Sequence, residues 1–438
     1  MNQSFATHKQ PLRIGAAATE IEADDSMVIA GGIFPAFACG QEGLLRASAI
    51  VLQKHKKVCL ISCDVIMLQR DILDDACRQI EAATGIAAEN ILISSTHTHH
   101  APSTATVHGY EREELFCDRV KEAIVASAKT ANSKLEEAGC YFACEKQNSV
   151  GRNSRVKLDD GTILWVPLEE QYAALEPTGH FDADFPLLSF KTNGGKQLAT
   201  VFNHSCHNIG SRDGNKRSPG FYGLAAQELE KELAAPVIFF SGAAGSTHDM
   251  KLTADELIDN IKGSIRDASR SAVEKEAYRI ESVKTEFEYR VRSFNERQED
   301  RAVAYYCHKR RVDWCEKPEE MVEVFRDMRR VLAEHQGEIR KSWLQVILID
   351  DIALVAVPGE FFGKLAAEIK SRSPLPNTHI IGYANDHIGY IPDSKAYDLG
   401  GYQTWTGFHS LVERGTGEMI VEKVLSLLNS FGSTADAS

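Results

Sequence analysis

Four apolar runs constrain the fold most: VCLISCDVIML (58–68), NILISS (90–95), PVIFFSGAAG (236–245) and IALVAVPGE (352–360). Each is short, rich in β-branched or aromatic residues, and runs into a polar or glycine-rich end, as strands do. Between such runs stand amphipathic stretches of helical period, among them RDILDDACRQIEAATG (70–85), closed by Gly85, residues 111–135, and GLAAQELEKEL (223–233). Strands alternating with helices predict an α/β protein of layered mixed β-sheets with flanking helices. A length of 438 residues allows one large core or two ordinary ones. Neither repeats nor a flexible linker divide the chain, so a single large domain over residues 1–438 is expected.

Further strands are predicted at SAIVLQ (48–53), at HIIGYAND (379–386), and at LLSFKT and QLATVFNHSC, a hairpin around Asn193-Gly194-Gly195. SWLQVILIDDIALVAVPGE reads as two strands joined at Asp350-Asp351. Residues 253–341 read as a mainly helical excursion or lid apart from the strand-like SVKTEFEYRVRSF, and residues 429–438 as a frayed tail.

A formal net charge of -13 argues against a general nucleic-acid binder, which needs an excess of Lys and Arg on one face. The N-terminus lacks the apolar core of a signal peptide, and no window approaches the roughly 18 apolar residues of a membrane span. The expectation is a cytoplasmic protein without stable membrane association, open to homo-oligomerisation. Its 10 cysteines are scattered, several inside apolar runs, which suggests reduced buried thiols. Cys140 and Cys144 have a spacing that could chelate a metal, but they flank a strand-like Tyr-Phe-Ala and no second pair completes a zinc knuckle. They are read as ordinary thiols.

The second run continues as ISSTHTHHAP, placing His97, His99 and His100 within four positions. If the strand persists, His97 and His99 share a face and His100 points the other way, where a structural role suits it. Three other strand ends carry similar groups: FNHSCHNIG (His204, His207), FFSGAAGSTHDM (His248, Asp249) and AVPGEFF (Glu360). Chemistry gathers at strand ends in α/β folds because side chains converge there on a crevice. His204 and His207 cannot share a strand face, so one is expected to stay outside the site. Glu360 alone could also cap the helix that follows it.

These residues resemble the neutral/alkaline non-lysosomal ceramidase family, in its N-terminal catalytic domain. The resemblance runs through LRIGAAATEIE, GLLRASAIVLQ, KVCLISCDVIML and NILISSTHTHHAPS to the Pro-Gly-Glu and Tyr-rich motifs, nearly the whole chain. It implies zinc held by His97, His207, Glu360 and Tyr390, with His99 close by. Ser205-Cys206-His207 resembles the Ala-Cys-His of shorter bacterial members, and Asn385, Tyr390, Tyr397 and Tyr402 keep the family's spacing. Arg152 or Arg155, in VGRNSR, matches the family's substrate arginine. Where ceramidases carry a Gly-Asp-Val-Ser turn with a nucleophilic serine, this chain reads Gly245-Ser-Thr-His-Asp249, with His248 in the serine's place. Ser246 is a candidate shifted nucleophile, but water activated by zinc, with His99 and His248 as the catalytic proton carriers, is simpler. The sequence ends shortly after the Tyr-rich motif, so no counterpart of the immunoglobulin-like domain of long ceramidases is expected.

The resemblance therefore implies a zinc-dependent hydrolase. The polar loops with His100, His108, Arg212, Asp213, Lys216 and Arg217 point to a small polar amide, ester or lactone rather than ceramide. A metal-dependent isomerase or lyase of a keto-sugar or cyclitol, and a non-catalytic ligand-binding descendant, are the alternatives.

Overall fold

The computed structural model describes residues 10–165, 176–249, 251–310 and 317–432. Three mixed sheets repeat one plan. The first lines up Ile91–Ser95, Lys57–Cys63, Arg46–Gln53, Arg13–Glu20 and Glu136–Glu137. The second lines up Val237–Ser241, Gln197–His204, Asp184–Lys191, Gly139–Lys146 and Val273–Lys275. The third lines up Ile280–Arg290, Ile339–Ile349, Ile352–Ala356 and Asn377–Ile381. Each is antiparallel except for one terminal parallel pair: Lys57–Cys63 with Ile91–Ser95, Gln197–His204 with Val237–Ser241, and Ile352–Ala356 with Asn377–Ile381. A parallel pair needs a crossover. The helices Arg70–Thr84, Gly220–Leu233 and Gly363–Arg372 supply the three.

Side chains alternate between the two faces of a strand, and in strands of the parallel pairs such as Lys57–Cys63, Ile91–Ser95, Val237–Ser241 and Ile352–Ala356 both faces are buried. Val58, Leu60, Leu92, Ile238, Phe240, Ile352 and Leu354 enter one core shared by all three sheets. Their neighbours face outward onto helices: Cys59 and Ile61 of the first sheet, Val237 and Phe239 of the second, Ala353 and Val355 of the third. Burial on both faces explains why these strands read as continuous apolar runs rather than as an alternation. The ends of the parallel pairs are stitched together. Ser94 Oγ donates to the Gly382 carbonyl at 2.8 Å, the Gly382 amide donates to Ser241 O at 2.9 Å, and the Ser95 amide donates to Tyr383 O at 3.2 Å.

The hairpin at 193–195 and the Asp350 turn between adjacent strands are present. The helical excursion is not one unit. Ile280–Arg290 pairs along its whole length with Ile339–Ile349, and the helix Ala254–Ser271 packs Leu257, Ile261 and Ile265 on the second sheet. The helices Glu296–Arg310 and Pro318–Leu332 are inserted between two paired strands and pack Val303, Tyr306, Met321 and Phe325 into one core with Leu344, Val346 and Val355, a buried face that charged composition conceals. Residues 429–432, expected to open a frayed tail, belong to the helix Thr416–Gly432, held by buried Leu428 and Phe431, and residues 433–438 lie outside the described residues. No helix among the described residues is long and apolar enough to cross a membrane. The nine described cysteines are free thiols.

Candidate metal centre

The three parallel pairs deliver the site from their C-terminal ends. His97 follows Ser95, His207 follows His204, and Glu360 follows Ala356, opening a two-residue parallel pairing in which it lies opposite Tyr390. The first strand stops at Ser95, so pleat alternation does not place His97 and His99 together. His97 instead adopts a left-handed backbone, φ 58°, which turns its ring back toward His99. Tyr383 (φ 53°), Asn385 (φ 63°) and His108 (φ 55°) are also left-handed. Four such non-glycine residues around one site mark backbone strain held in place by the packing about it.

The imidazoles are aimed by their backs. His97 Nδ1 lies 2.7 Å from Ile66 O, and His207 Nδ1 lies 2.8 Å from Ala244 O and 2.9 Å from Thr247 O. His99 is hydrogen-bonded to the Gly31 backbone. A ring whose Nδ1 proton faces a carbonyl presents a lone pair at Nε2. His99 Nε2 is 3.3 Å from His97 Nε2, and Glu360 Oε2 is 3.5 Å from His97 Nε2 and 3.2 Å from His207 Nε2. These are acceptors facing acceptors. Glu360 Oε2 is fully enclosed without a conventional hydrogen bond. Something positive must sit among them, either a proton shared by Glu360 or a metal ion.

The separations favour the ion. Donors about 2.0–2.1 Å from a tetrahedral zinc stand roughly 3.3–3.4 Å apart, close to the separations of His99 from His97 and of Glu360 from His97 and His207. The donor atoms of His97, His99 and His207 all lie within 4.8 Å of one another. Burial holds the imidazoles of His97 and His99 well below the usual histidine range, leaving them neutral as a metal requires, and pushes the Glu360 carboxyl up. The Tyr390 hydroxyl is 3.4 Å from His207 Nε2 and bonded to the Glu360 side chain.

The surroundings sort the other candidates. His248 stacks on His207, ring centroids 4.2 Å apart, and lies opposite Arg152 in a short antiparallel pairing. Arg155 is fully buried, donating to Gln403 Oε1 at 2.6 Å, Gly400 O at 2.6 Å and Ala396 O at 3.3 Å. It holds the loop that carries Tyr402, which is a positioning task and not the waiting posture of a substrate anchor. Ser246 Oγ accepts from the Gly363 amide at 3.3 Å, at the start of the third crossover helix. His204 sits against Tyr222 Oη at 2.6 Å and Gln147 O, so of the two histidines only His207 joins the cluster. His100 accepts from the Gly210 amide, a structural role. The polar loop residues are committed as well: Arg212 pairs with Glu42, Glu228 and Asp255, Lys216 with Asp213, and Arg217 with Asp25.

Two solved structures share this architecture. Neutral ceramidase from Pseudomonas aeruginosa superposes with a TM-score of 0.71 at 14% identity, over 96% of this chain and 75% of its own. A ceramidase complexed with C2 superposes with a TM-score of 0.74 at 13% identity, over 97% and 76%. The fold is that of neutral ceramidase. No family model and no curated protein matches the sequence. Within the neutral ceramidase fold, three features of this site carry no sequence motif. Tyr383 stacks on His97 with centroids 4.1 Å apart, and Trp165 stacks on Tyr402 at 4.6 Å while meeting His248 edge-on at 5.0 Å. Gly31 is the third: a Cβ there would come within 2.4 Å of His99 Nδ1. Tyr383 closes an apolar strand as His97 and Glu360 do, and that position was its one available signal. A cleft of about 830 Å³ is lined in part by His387, which stacks on Tyr383. None of the donors lines it, so the assignment of the centre rests on donor chemistry and not on volume.

Proposed function

We propose that this protein is a zinc-dependent hydrolase acting on a small polar amide, ester or lactone rather than on ceramide. The observation that carries the reading is the convergence of three backbone-oriented imidazoles, donor atoms within 4.8 Å of one another, with a buried carboxylate 3.2 and 3.5 Å from two of them. His97, His99, His207 and Glu360 would hold the ion, with the Tyr390 hydroxyl at its margin. When bound, zinc supplies Lewis acidity to a substrate carbonyl and to water.

The chain's own residues do the rest. His97 and His207 are 2% and 1% exposed, whereas His99 is half-buried, so substrate approaches from the His99 side. The Trp165–Tyr402 stack gives that approach an aromatic wall, and the tightly packed aromatic and imidazole rings keep bulk water from the reacting groups. His248, flat against His207 and edge-on to Trp165, is placed to carry a proton between water and the leaving group. Ser246, turned toward the Gly363 amide, is a poor nucleophile in this arrangement, which favours attack by water.

The test is a panel of short acyl amides, esters and lactones offered to zinc-loaded protein in oxygen-18 water. Label in the product supports hydrolysis. Turnover without label would replace it with isomerisation or elimination at the same centre.

A further inference from the structure

A second group of donors lies where the shared core reaches its rim between the second and third sheets. On the inner face of Gly139–Lys146, Cys140 and Phe142 belong to the shared core, and the next residue on that face is Cys144. On Asp184–Lys191, Leu188 is in the core and the same face continues through Pro186 to Asp184. On Asn377–Ile381, Ile381 is in the core and the same face continues to His379, opposite Leu354. At three positions where alternation calls for apolar residues, three strands of two sheets present a thiol, a carboxylate and an imidazole. Their donor atoms all lie within 4.8 Å of one another.

His379 is the independent sign that something binds there. It is 3% exposed, and neither ring nitrogen has a hydrogen-bond partner. A buried nitrogen left unpaired is costly, and apolar packing on Phe142 at 5.9 Å does nothing to offset it. Cys144 is exposed and Asp184 half-buried, so an ion can enter from solvent. Asp184 already accepts from Lys146 and Lys370, but a carboxylate offers about four lone-pair sites. With Asp182 also on Lys370, the Cys144 thiolate would make three anionic groups against two ammonium groups. Burial favours the protonated thiol, so the setting turns net negative only as the ion displaces that proton.

We propose that Cys144, Asp184 and His379 bind a second divalent transition-metal ion, zinc by preference of a sulfur, oxygen and nitrogen donor set. The ion replaces the thiol proton, which leaves to solvent, and it ties the second sheet to the third. The proposal does not depend on the function of the His97 centre.

Cobalt separates the two sites, because the His97 centre contains no sulfur. The full-length protein, stripped of metal, is titrated with Co²⁺ while the near-ultraviolet thiolate-to-cobalt charge-transfer band and bound metal are followed. The expected result is a band in the wild type that persists in His97→Ala and disappears in Cys144→Ser, with one fewer ion per chain in the latter. His379→Gln should weaken the band-forming site ~100-fold or more, beyond the loss typical of an outer partner. If that buried variant fails to fold, the exposed Cys144→Ser carries the test. Absence of the band in the wild type, or its survival in Cys144→Ser, overturns the proposal. Failure of the His97 centre to bind metal would show separately, as a band with no second ion.

Discussion

At the strand-end centre each of His97, His99 and His207 has a backbone partner behind its ring, and Glu360 is buried beside them. At the rim, His379 has no partner at either nitrogen, Cys144 is exposed, and Asp184 is shared with two lysines. One cluster is held ready by the fold and strained in doing so. The other is assembled from ordinary strand positions and would be completed by its ion. The difference teaches that proximity of donors is not preparation: orientation from behind, at a backbone cost, distinguishes a site built for chemistry from one suited to holding sheets together.

The largest effect that could break this contrast is removal of a donor from the prepared centre. His97→Ala and Glu360→Ala should each lower metal affinity by at least ~100-fold, read by metal analysis and competition with a chelator, and abolish turnover. Retention of stoichiometric zinc would mean that the centre is not what organises these residues. Disturbing preparation alone should do less. Gly31→Ala places a Cβ against His99 Nδ1 at a φ of 107° and should cost about 10–100-fold in metal affinity while the fold survives. At the rim the sign reverses. His379→Leu removes two unpaired nitrogens and should stabilise the metal-free protein by about 1 kcal/mol in urea unfolding, a gain that vanishes or inverts when zinc is present.

The finest test is the pH dependence of stability in the metal-free protein. Burial raises the Glu360 carboxyl above its ordinary 4.5, so the folded state binds the proton more tightly than the unfolded one. Its cost is absent below about pH 4.5 and grows as pH rises through the raised value. Glu360→Gln should therefore stabilise at neutral pH and be silent in acid. Asp184 goes the other way: burial opposes ionisation, but Lys370 and Lys146 overcome it and hold the carboxyl down at about 2. Its contribution is present above the ordinary 3.8 and is lost as pH falls toward 2. Asp184→Asn should destabilise at neutral pH only. Equal pH profiles for the two variants would erase the contrast.

The α/β class was legible because each doubly buried strand is an uninterrupted apolar run, and the residues that close those runs, His97, His207 and Glu360, are the ones that meet. The structure arrives at His97 beside His99 by a different route from the one the sequence suggests, since a left-handed backbone does not show in residue type. Arg155 looked available because nothing local reveals that Gly400 and Gln403 fold back onto it. Cys144 was read against Cys140, its neighbour in sequence, whereas its partners Asp184 and His379 come from other strands. No spacing rule spans that register. In the 253–341 segment the helices and the strand were legible, but the pairing that joins the strand to the third sheet was not, because Ile280–Arg290 finds its partner only after two helices intervene.

The donors of the strand-end centre come from all three sheets, and this fixes an order in biosynthesis. His97 leaves the ribosome long before Glu360 and Tyr390, an interval of roughly fifteen seconds to a minute at typical rates of synthesis. Until then the nascent chain offers two or three imidazoles without their carboxylate, a weak and unselective cation trap. Metal capture at this centre would therefore be a late event that registers the docking of the third sheet on the other two, and an early ion of the wrong kind would have to leave before that docking is complete.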